Sequence, residues 1–395
     1  MKFEVNNIFL FDCIAHTMDF LLPKIYVHQL RVAIIADRIA KEINLPENHR
    51  VYLVYAALLH DIGAIMHKDN LAYDDNGSTV VFTHARDGYE LLRKYDLFKP
   101  IAPFILHHHD WWDGSQPQFT SDEMQLLPIE SKILNLAEHV DRYLNDPSRQ
   151  SSFKKMHTYL KRMSLKQLDP DLVEAFLKIS TLETFWTDYA WPNLGRYFQK
   201  LTGNTYARRL PLKDIEDFSE ILVCVLEQGN AIAGEHSRQV AKVAASIAKL
   251  KKLDKDEIAR VYIAGLLHDL GKIAISNDIL NKPGKLTKEE YEIVKQHVHY
   301  TELLLKGVPG LEKIAETAIN HHEALDGSGY PYGHVDCELS REDRIVAVAD
   351  VFSALSDQRS YHTALSLPQI KVIMQDMAKK KKLDSSIVNA SVKRK

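Results

Sequence analysis

VHQLRVAIIADRIAKEINLPENHRVYLVYAALLHDIGAI, from Val27 to Ile65, returns later in the chain as EHSRQVAKVAASIAKLKKLDKDEIARVYIAGLLHDLGKI, from Glu235 to Ile273. In each stretch a histidine is followed 32 residues on by a His-Asp pair: His28 by His60-Asp61, and His236 by His268-Asp269. The correspondence continues downstream, where 24 residues separate His84 from His108 and again His297 from His321. His108-His109 opens HHDWWDGS, and His321-His322 opens HHEALDGS. LDPDLVEAF from Leu168 resembles LDSSIVNA from Leu383. Spacings and texts shared to this extent make an internal duplication.

Period makes both copies helical. His236, Val240, Val243, Ala244 and Ile247 fall on one helical face, and Ile258, Val261, Gly265 and His268 fall on the next. Alternating strand patterns of useful length are absent, and Gly and Pro sit between the helical runs. A short β element near 325–340 is compatible with this reading but not required by it. A chain of 395 residues is too long for one ordinary core. The turn-rich, basic stretch from Thr202 to Lys213 is the best linker. The fold class is therefore all-α: two tandem, duplicated helical bundles, residues 1–205 and 206–395.

Composition bounds the partners. With 45% hydrophobic and 26% charged residues the chain is of the soluble globular class. A formal net charge of −3 argues against a broad electrostatic grip on large nucleic acid or anionic lipid. Cys13, Cys224 and Cys337 are scattered without a CxxC pair, which reads as ordinary reduced thiols. The start shows no secretory signal pattern, and apolar runs such as Ile263–Leu267 are far too short to span a bilayer. A cytoplasmic protein without membrane attachment is expected. The run Lys379–Lys382 reads as a solvated helix end rather than a nucleic-acid patch.

The anomaly is histidine, with 19 in the chain. In the second copy His236, His268, Asp269, His297, His321, His322 and Asp350 spread nitrogen and oxygen donors over several helices. One ion takes only about four to six such donors, so seven point to a site for at least two metals. A carboxylate beside a histidine can bridge neighbouring ions. Such a pair activates a water and steadies the attacking and leaving oxygens of a phosphoryl displacement. Any one of these histidines alone would be a satisfied core or surface residue. The set at duplicated spacing is not. Lys272, one turn after His268, and Arg359, after Asp350, add cations suited to phosphate. In HHEALDGSGYP, Asp326, Gly327 and Gly329 form a tight turn that lets backbone approach a ligand, and Tyr330 can stack on a base or bond a phosphate.

These residues resemble the HD-GYP family of the HD phosphohydrolases. The pattern HHExxDGxGYP stands at His321, His322, Glu323, Asp326, Gly327, Gly329, Tyr330 and Pro331. HDLGK at His268–Lys272 is similar to its HDxGK motif. ADVFSAL, from Ala349, resembles ADxFDAL, with Ser353 replacing the usual aspartate. The resemblance covers roughly Glu227 to Ala390. It implies HD-type bundles, the second an HD-GYP domain, with iron or manganese ions and hydrolysis of cyclic dinucleotides. The implied ligands are His236, His268, Asp269, His297, His321, His322 and Asp350. Asp269 and Lys272 would be catalytic, and Lys272, Tyr330 and Arg359 would bind substrate. Ile232 stands where three-metal members carry glutamate, which favours two divalent ions. RSYH stands where the family has RPYR/K, placing His362 at a position usually cationic.

The first copy keeps His28, His60, Asp61, His84, His108 and His109, with Glu138 in the place of Asp350. These form a candidate second metal site. Ala64 replaces Lys272, and SQP replaces SGYP after Asp113-Gly114. A regulatory or dimerising role is favoured over a second catalytic site, and a homodimer is one form that role would take. Tandem HD domains with GYP only in the second resemble the Vibrio phosphodiesterases that degrade 3′,3′-cGAMP. The expected reaction is therefore hydrolysis of 3′,3′-cGAMP to a linear 5′-phosphorylated dinucleotide. Alternatives are a cyclic di-GMP phosphodiesterase, a cyclic-dinucleotide receptor that does not cleave, and a nucleotide phosphohydrolase.

Overall fold

A computed structural model describes residues 2–66, 83–115, 127–145, 153–190, 193, 197, 207–356 and 365–392. The chain forms two compact units: Leu10–Ala207, and Arg208–Lys395 together with Met1–Phe9. No helix among the described residues is long and apolar enough to cross a membrane.

In chain order the elements start with β1 (Lys2–Asn6) and α1 (Asn7–Met18). The first bundle follows with α2 (Ile25–Glu42), α3 (Glu47–Leu59), α4 (Thr83–Leu92), α5 (Ala102–Leu106), α6 (Ile129–Asn145), α7 (Phe153–Met163), α8 (Pro170–Ile179) and α9 (Glu183–Tyr189). Helix α2 is its axis. It buries Val32, Ala33, Ile35, Ala36 and Ile39 against α3, α6 and α8. Fully burying one such isoleucine contributes about 1.5–3 kcal/mol, so this face holds the bundle together. A 3-10 turn at Ile62–Met66 continues α3 and packs on α4.

The second bundle repeats the order. After β2 (Ala207–Pro211) come α10 (Leu212–Gly229), α11 (Ala231–Leu250), α12 (Lys255–Leu267), α13 (Asn277–Leu280), α14 (Lys288–Leu305), α15 (Glu312–Ile319), α16 (Arg341–Ser356), α17 (Leu367–Lys379) and α18 (Ser385–Ser391). Here α11 is the axis, packed on α12 and α16, and a 3-10 turn at Leu270–Ala274 packs on α14. Some of its helix starts are capped by side chains. Asn230 accepts the Ala233 amide at 3.0 Å. Asp254 and Glu257 form a reciprocal capping box, as do Thr287 and Glu290. Each cap is worth about 1 kcal/mol, whereas α3 begins after Pro46 with no side-chain cap.

Two features depart from the sequence reading. A two-stranded sheet pairs β1 with β2, because KFEVN alternates, burying Phe3 and Val5 and exposing Glu4. Met1–Phe9 therefore cluster with the second unit, although a cut at residue 205 had assigned them to the first. Near 325–340 the β element reduces to one antiparallel bridge between Asp326 and Val335. The basic run ends α17 with Lys379, Lys380 and Lys381 exposed, as a solvated helix end requires, and Lys382 Nζ lies 3.0 Å from Asp326. Residues 202–206 of the linker lie outside the described residues.

Both 3-10 turns approach the next helix at a glycine. A Cβ on Gly271 would lie 1.9 Å from the His297 carbonyl oxygen and 2.6 Å from the Thr301 amide nitrogen. On Gly63 it would meet the His84 oxygen at 2.0 Å and the Gly88 nitrogen at 2.5 Å. Backbone cannot yield cheaply at such distances, so Gly271→Ala should push α14 outward. The expected cost is about 2 kcal/mol or more, read as a lower thermal midpoint, with reduced metal content because His297 moves too. A variant as stable as the parent would contradict this account of the packing.

Candidate metal centres

In the second bundle His236 comes from α11, and His268 and Asp269 from the end of α12. His297 comes from α14, His321 and His322 from the 3-10 turn at Asn320–His322, and Asp350 from α16. They gather as two triplets, His236/His268/Asp350 and His297/His321/His322, each with donor atoms within 4.8 Å of one another. Asp269 lies between the triplets. Its Oδ2 is 3.2 Å from His268 Nε2, and its Oδ1 is 3.4 Å from His297 Nε2 and 4.0 Å from His321 Nε2. His236 Nε2 is 3.0 Å from Asp350 Oδ1. One carboxylate with an oxygen toward each triplet is the arrangement a bridging ligand needs.

Local helix geometry aims the rings. His268, His297 and His321 each donate Nδ1–H to the carbonyl three residues earlier: Gly265 at 2.9 Å, Val294 at 2.6 Å and Ala318 at 2.7 Å. This fixes the tautomer and turns each Nε2 lone pair inward. Burial pushes His297 down to about 3 and His322 to about 4, so both are neutral imidazoles at pH 7, the form that can ligate a metal. Burial alone would raise the Asp269 carboxyl. The neighbouring His268 and Lys272 charges outweigh it and hold Asp269 well below the carboxylate range. His268 Nε2 and Asp269 Oδ1 are nevertheless buried without a hydrogen bond. Orphaned polar atoms in a dry core cost about 1–3 kcal/mol each, and a cation would satisfy both. The donor set fits a divalent metal pair.

The first bundle assembles the same figure. His28 lies on α2, His60 and Asp61 follow α3, and His84 lies on α4. His108 and His109 follow α5, and Glu138 lies on α6. The triplets are His28/His60/Glu138 and His84/His108/His109. Asp61 Oδ2 is 3.1 Å from His60 Nε2 and Oδ1 is 3.4 Å from His84 Nε2, nearly the distances around Asp269. His60 and His108 donate Nδ1–H to Ala57 at 2.8 Å and Ile105 at 2.5 Å. His60 Nε2 and both Asp61 oxygens are buried without a hydrogen bond. Burial would lower His60, but the Asp61 and Glu138 charges outweigh it and raise it to about 9. The site needs positive charge, from protons or from metal.

The remaining sequence candidates divide. Lys272 Nζ is 2.6 Å from Asp269 Oδ2 and stays partly open to solvent. The Tyr330 ring stands 4.7 Å from the His322 ring at the rim of the donor set, near Lys295 Nζ at 5.7 Å. Arg359 and His362 lie outside the described residues, as does the SQP segment beyond Ser115.

Two working residues had gone without a role. Glu323 accepts the amides of Tyr332 at 2.7 Å, Gly333 at 3.2 Å and His334 at 3.0 Å, folding the GYP turn back on the histidine pair. Gly329 fits against this turn, where a Cβ would lie 2.4 Å from Ala324 N. Asp141 accepts His28 Nδ1–H at 2.7 Å, Arg31 Nε at 2.6 Å and the Tyr189 hydroxyl at 2.8 Å. It stands three residues after Glu138, as Ser353 stands after Asp350, so the aspartate of the ADxFDAL pattern survives only in the first copy.

A histidine, a His-Asp pair and a late carboxylate gathered from several helices define the HD domain, and this chain has two. The HD-domain family patterns match residues 25–143 and 220–387, and the chain belongs to the HD-domain family as a tandem member, with HD-GYP motifs in its second copy. It is 28% identical to the 3′3′-cGAMP-specific phosphodiesterase 1 of Vibrio cholerae, over 100% of this chain and 93% of that protein. A cyclic di-GMP phosphodiesterase of Thermotoga maritima is 39% identical over 38% of this chain and 42% of its own. The solved structure of a cyclic GMP-AMP-specific phosphodiesterase of V. cholerae, V-cGAP3, superposes with a TM-score of 0.65 at 21% identity, covering 100% of this chain and 98% of that one. That likeness shows that the tandem fold is shared.

Proposed function

We propose that the second domain hydrolyses a cyclic dinucleotide, 3′,3′-cGAMP in preference to cyclic di-GMP, to a linear 5′-phosphorylated dinucleotide. The observation that carries this reading is Asp269, set between two histidine-rich triplets with an orphaned oxygen, beside a complete GYP turn. His236, His268 and Asp350 would hold one ion, His297, His321 and His322 a second, and Asp269 both. Iron or manganese suits this mixed nitrogen and oxygen set. When bound, such a pair supplies Lewis acidity and an activated water. Lys272 meets a non-bridging phosphate oxygen and stabilises the charge that grows there. Tyr330 offers a ring and a hydroxyl at the rim, and Glu323 keeps its turn in place. A tandem relative matching end to end supports cGAMP, and the nature of the substrate supports a cytoplasmic setting.

A hydrolysis panel of 3′,3′-cGAMP, cyclic di-GMP and cyclic di-AMP, with iron- and manganese-loaded protein, tests the proposal. Conversion of 3′,3′-cGAMP first is expected. Tight binding of all three without cleavage would replace the enzyme with a receptor. Lys272→Ala should retain the metals and lose about 100-fold in turnover, the usual worth of one charge-stabilising donor. If metal is lost instead, with no separate rate defect, the lysine holds Asp269 and not the substrate.

A further inference from the structure

Among the described residues a cation pairs with a donor carboxylate in each domain, and the two cations come from different elements. In the second domain it is Lys272, from the 3-10 turn after α12, while Ala354 stands four residues after the ligand Asp350. In the first domain Ala64 occupies the lysine position, buried, and Arg142 stands four residues after Glu138 on α6. The exchange is reciprocal: lysine and alanine in one copy, alanine and arginine in the other.

The two cations pair with different carboxylates of the repeated figure, Arg142 with Glu138 and Lys272 with Asp269, yet face corresponding imidazoles. Arg142 pairs through its guanidinium with Glu138 Oε1, and Glu138 Oε2 lies 3.7 Å from His109 Nδ1. The Arg142 charge reaches His84 and His109, and the Lys272 charge reaches their counterparts His297 and His322. The Arg142 side chain is 28% exposed and that of Lys272 20%, so both run from the donor set toward solvent. Neutralising Glu138 is not reason enough for an arginine here, since Asp350 is served by His236 with alanine at the corresponding place.

We propose that Arg142 makes the first domain a second phosphoanion site, doing there the work that Lys272 does in the second domain. The ligand class is a phosphoryl group presenting two non-bridging oxygens, which the planar guanidinium fork meets in pairs. With SQP in place of SGYP after Gly114, the tyrosine of the GYP turn is missing from the sequence, and recognition rests on the phosphoryl group. The inference rests on the first donor set holding metal, as the second is proposed to do.

Full-length protein carrying Asp269→Asn, which weakens metal binding at the second site, is loaded with Mn2+, its bound metal is counted, and it is titrated calorimetrically with inorganic phosphate. Arg142→Ala should keep the first-site metal and raise the phosphate Kd about tenfold or more, the worth of one charged hydrogen-bond donor. Ala64→Lys added to Arg142→Ala should restore binding by moving the cation back to the turn. The same series without Asp269→Asn, where two binding phases are expected and Arg142→Ala removes one, guards against a folding defect. A linear 5′-phosphorylated dinucleotide and a cyclic dinucleotide, titrated in parallel, tell a monoester ligand from a diester. Unchanged phosphate affinity in metal-loaded Arg142→Ala overturns the inference, as does loss of metal that the lysine fails to restore. Absence of metal from the first site in the parent overturns the underlying reading instead, so the two failures are distinguishable.

Discussion

Asp269→Asn should lower turnover of the cyclic dinucleotide by at least about 10³-fold and reduce bound metal, while leaving the helical content intact. The carboxylate is 1% exposed and faces both triplets, at 3.2 Å from His268 and 3.4 Å from His297. The amide keeps the shape but loses the charge that would hold the proposed metal pair, so metal would be held less tightly. A factor of 10³ corresponds to about 4 kcal/mol of transition-state stabilisation, within what a metal pair contributes. His268→Ala should act in the same direction, since its Nε2 has no hydrogen bond that substitution would break. Product is followed by chromatography and metal by elemental analysis. Full turnover in a variant that has lost metal would end the two-metal reading.

The sequence exposes the donors because chemistry and period coincide. A helix of fixed pitch carries His28 and His236 on a buried face, and the equal intervals to His60 and His268 survive because the intervening hairpin is the same length in both copies. The triplets follow from that repetition. What stayed hidden depends on contacts distant in sequence. The five-residue β1 strand alternates too briefly to stand out, and its partner, β2, lies about two hundred residues away. A cut at residue 205 would strand Phe3, Val5 and Ile8, all buried, away from the unit they cluster with. Glu323 matched a motif, but its work is to accept backbone amides, which no side-chain pattern records. Arg142 is not legible at the lysine position, where Ala64 stands against Lys272. The replacement cation sits on another helix, where the informative comparison is 142 with 354.

The paired change His60→Ala and Asp61→Ala should remove the metal of the first domain, about half of the total, and leave cyclic-dinucleotide turnover within a few-fold of the parent. His60 Nε2 and both Asp61 oxygens are buried without hydrogen bonds, so the alanine pair removes desolvated polar groups along with the ligands. The cavity left behind costs stability, yet the apolar face of α2 remains, and the bundle should keep its helical signal. The proposed catalysis lies at the other donor set, where Lys272 and the GYP turn accompany the candidate ligands. What should change is the response to phosphate. With the first site empty, inorganic phosphate should bind in one phase, at the second domain alone. Metal is counted before and after the substitution, and turnover is measured on the same preparations. Loss of all turnover while the second site remains metal-loaded would place the chemistry in the first domain and reverse the division of labour.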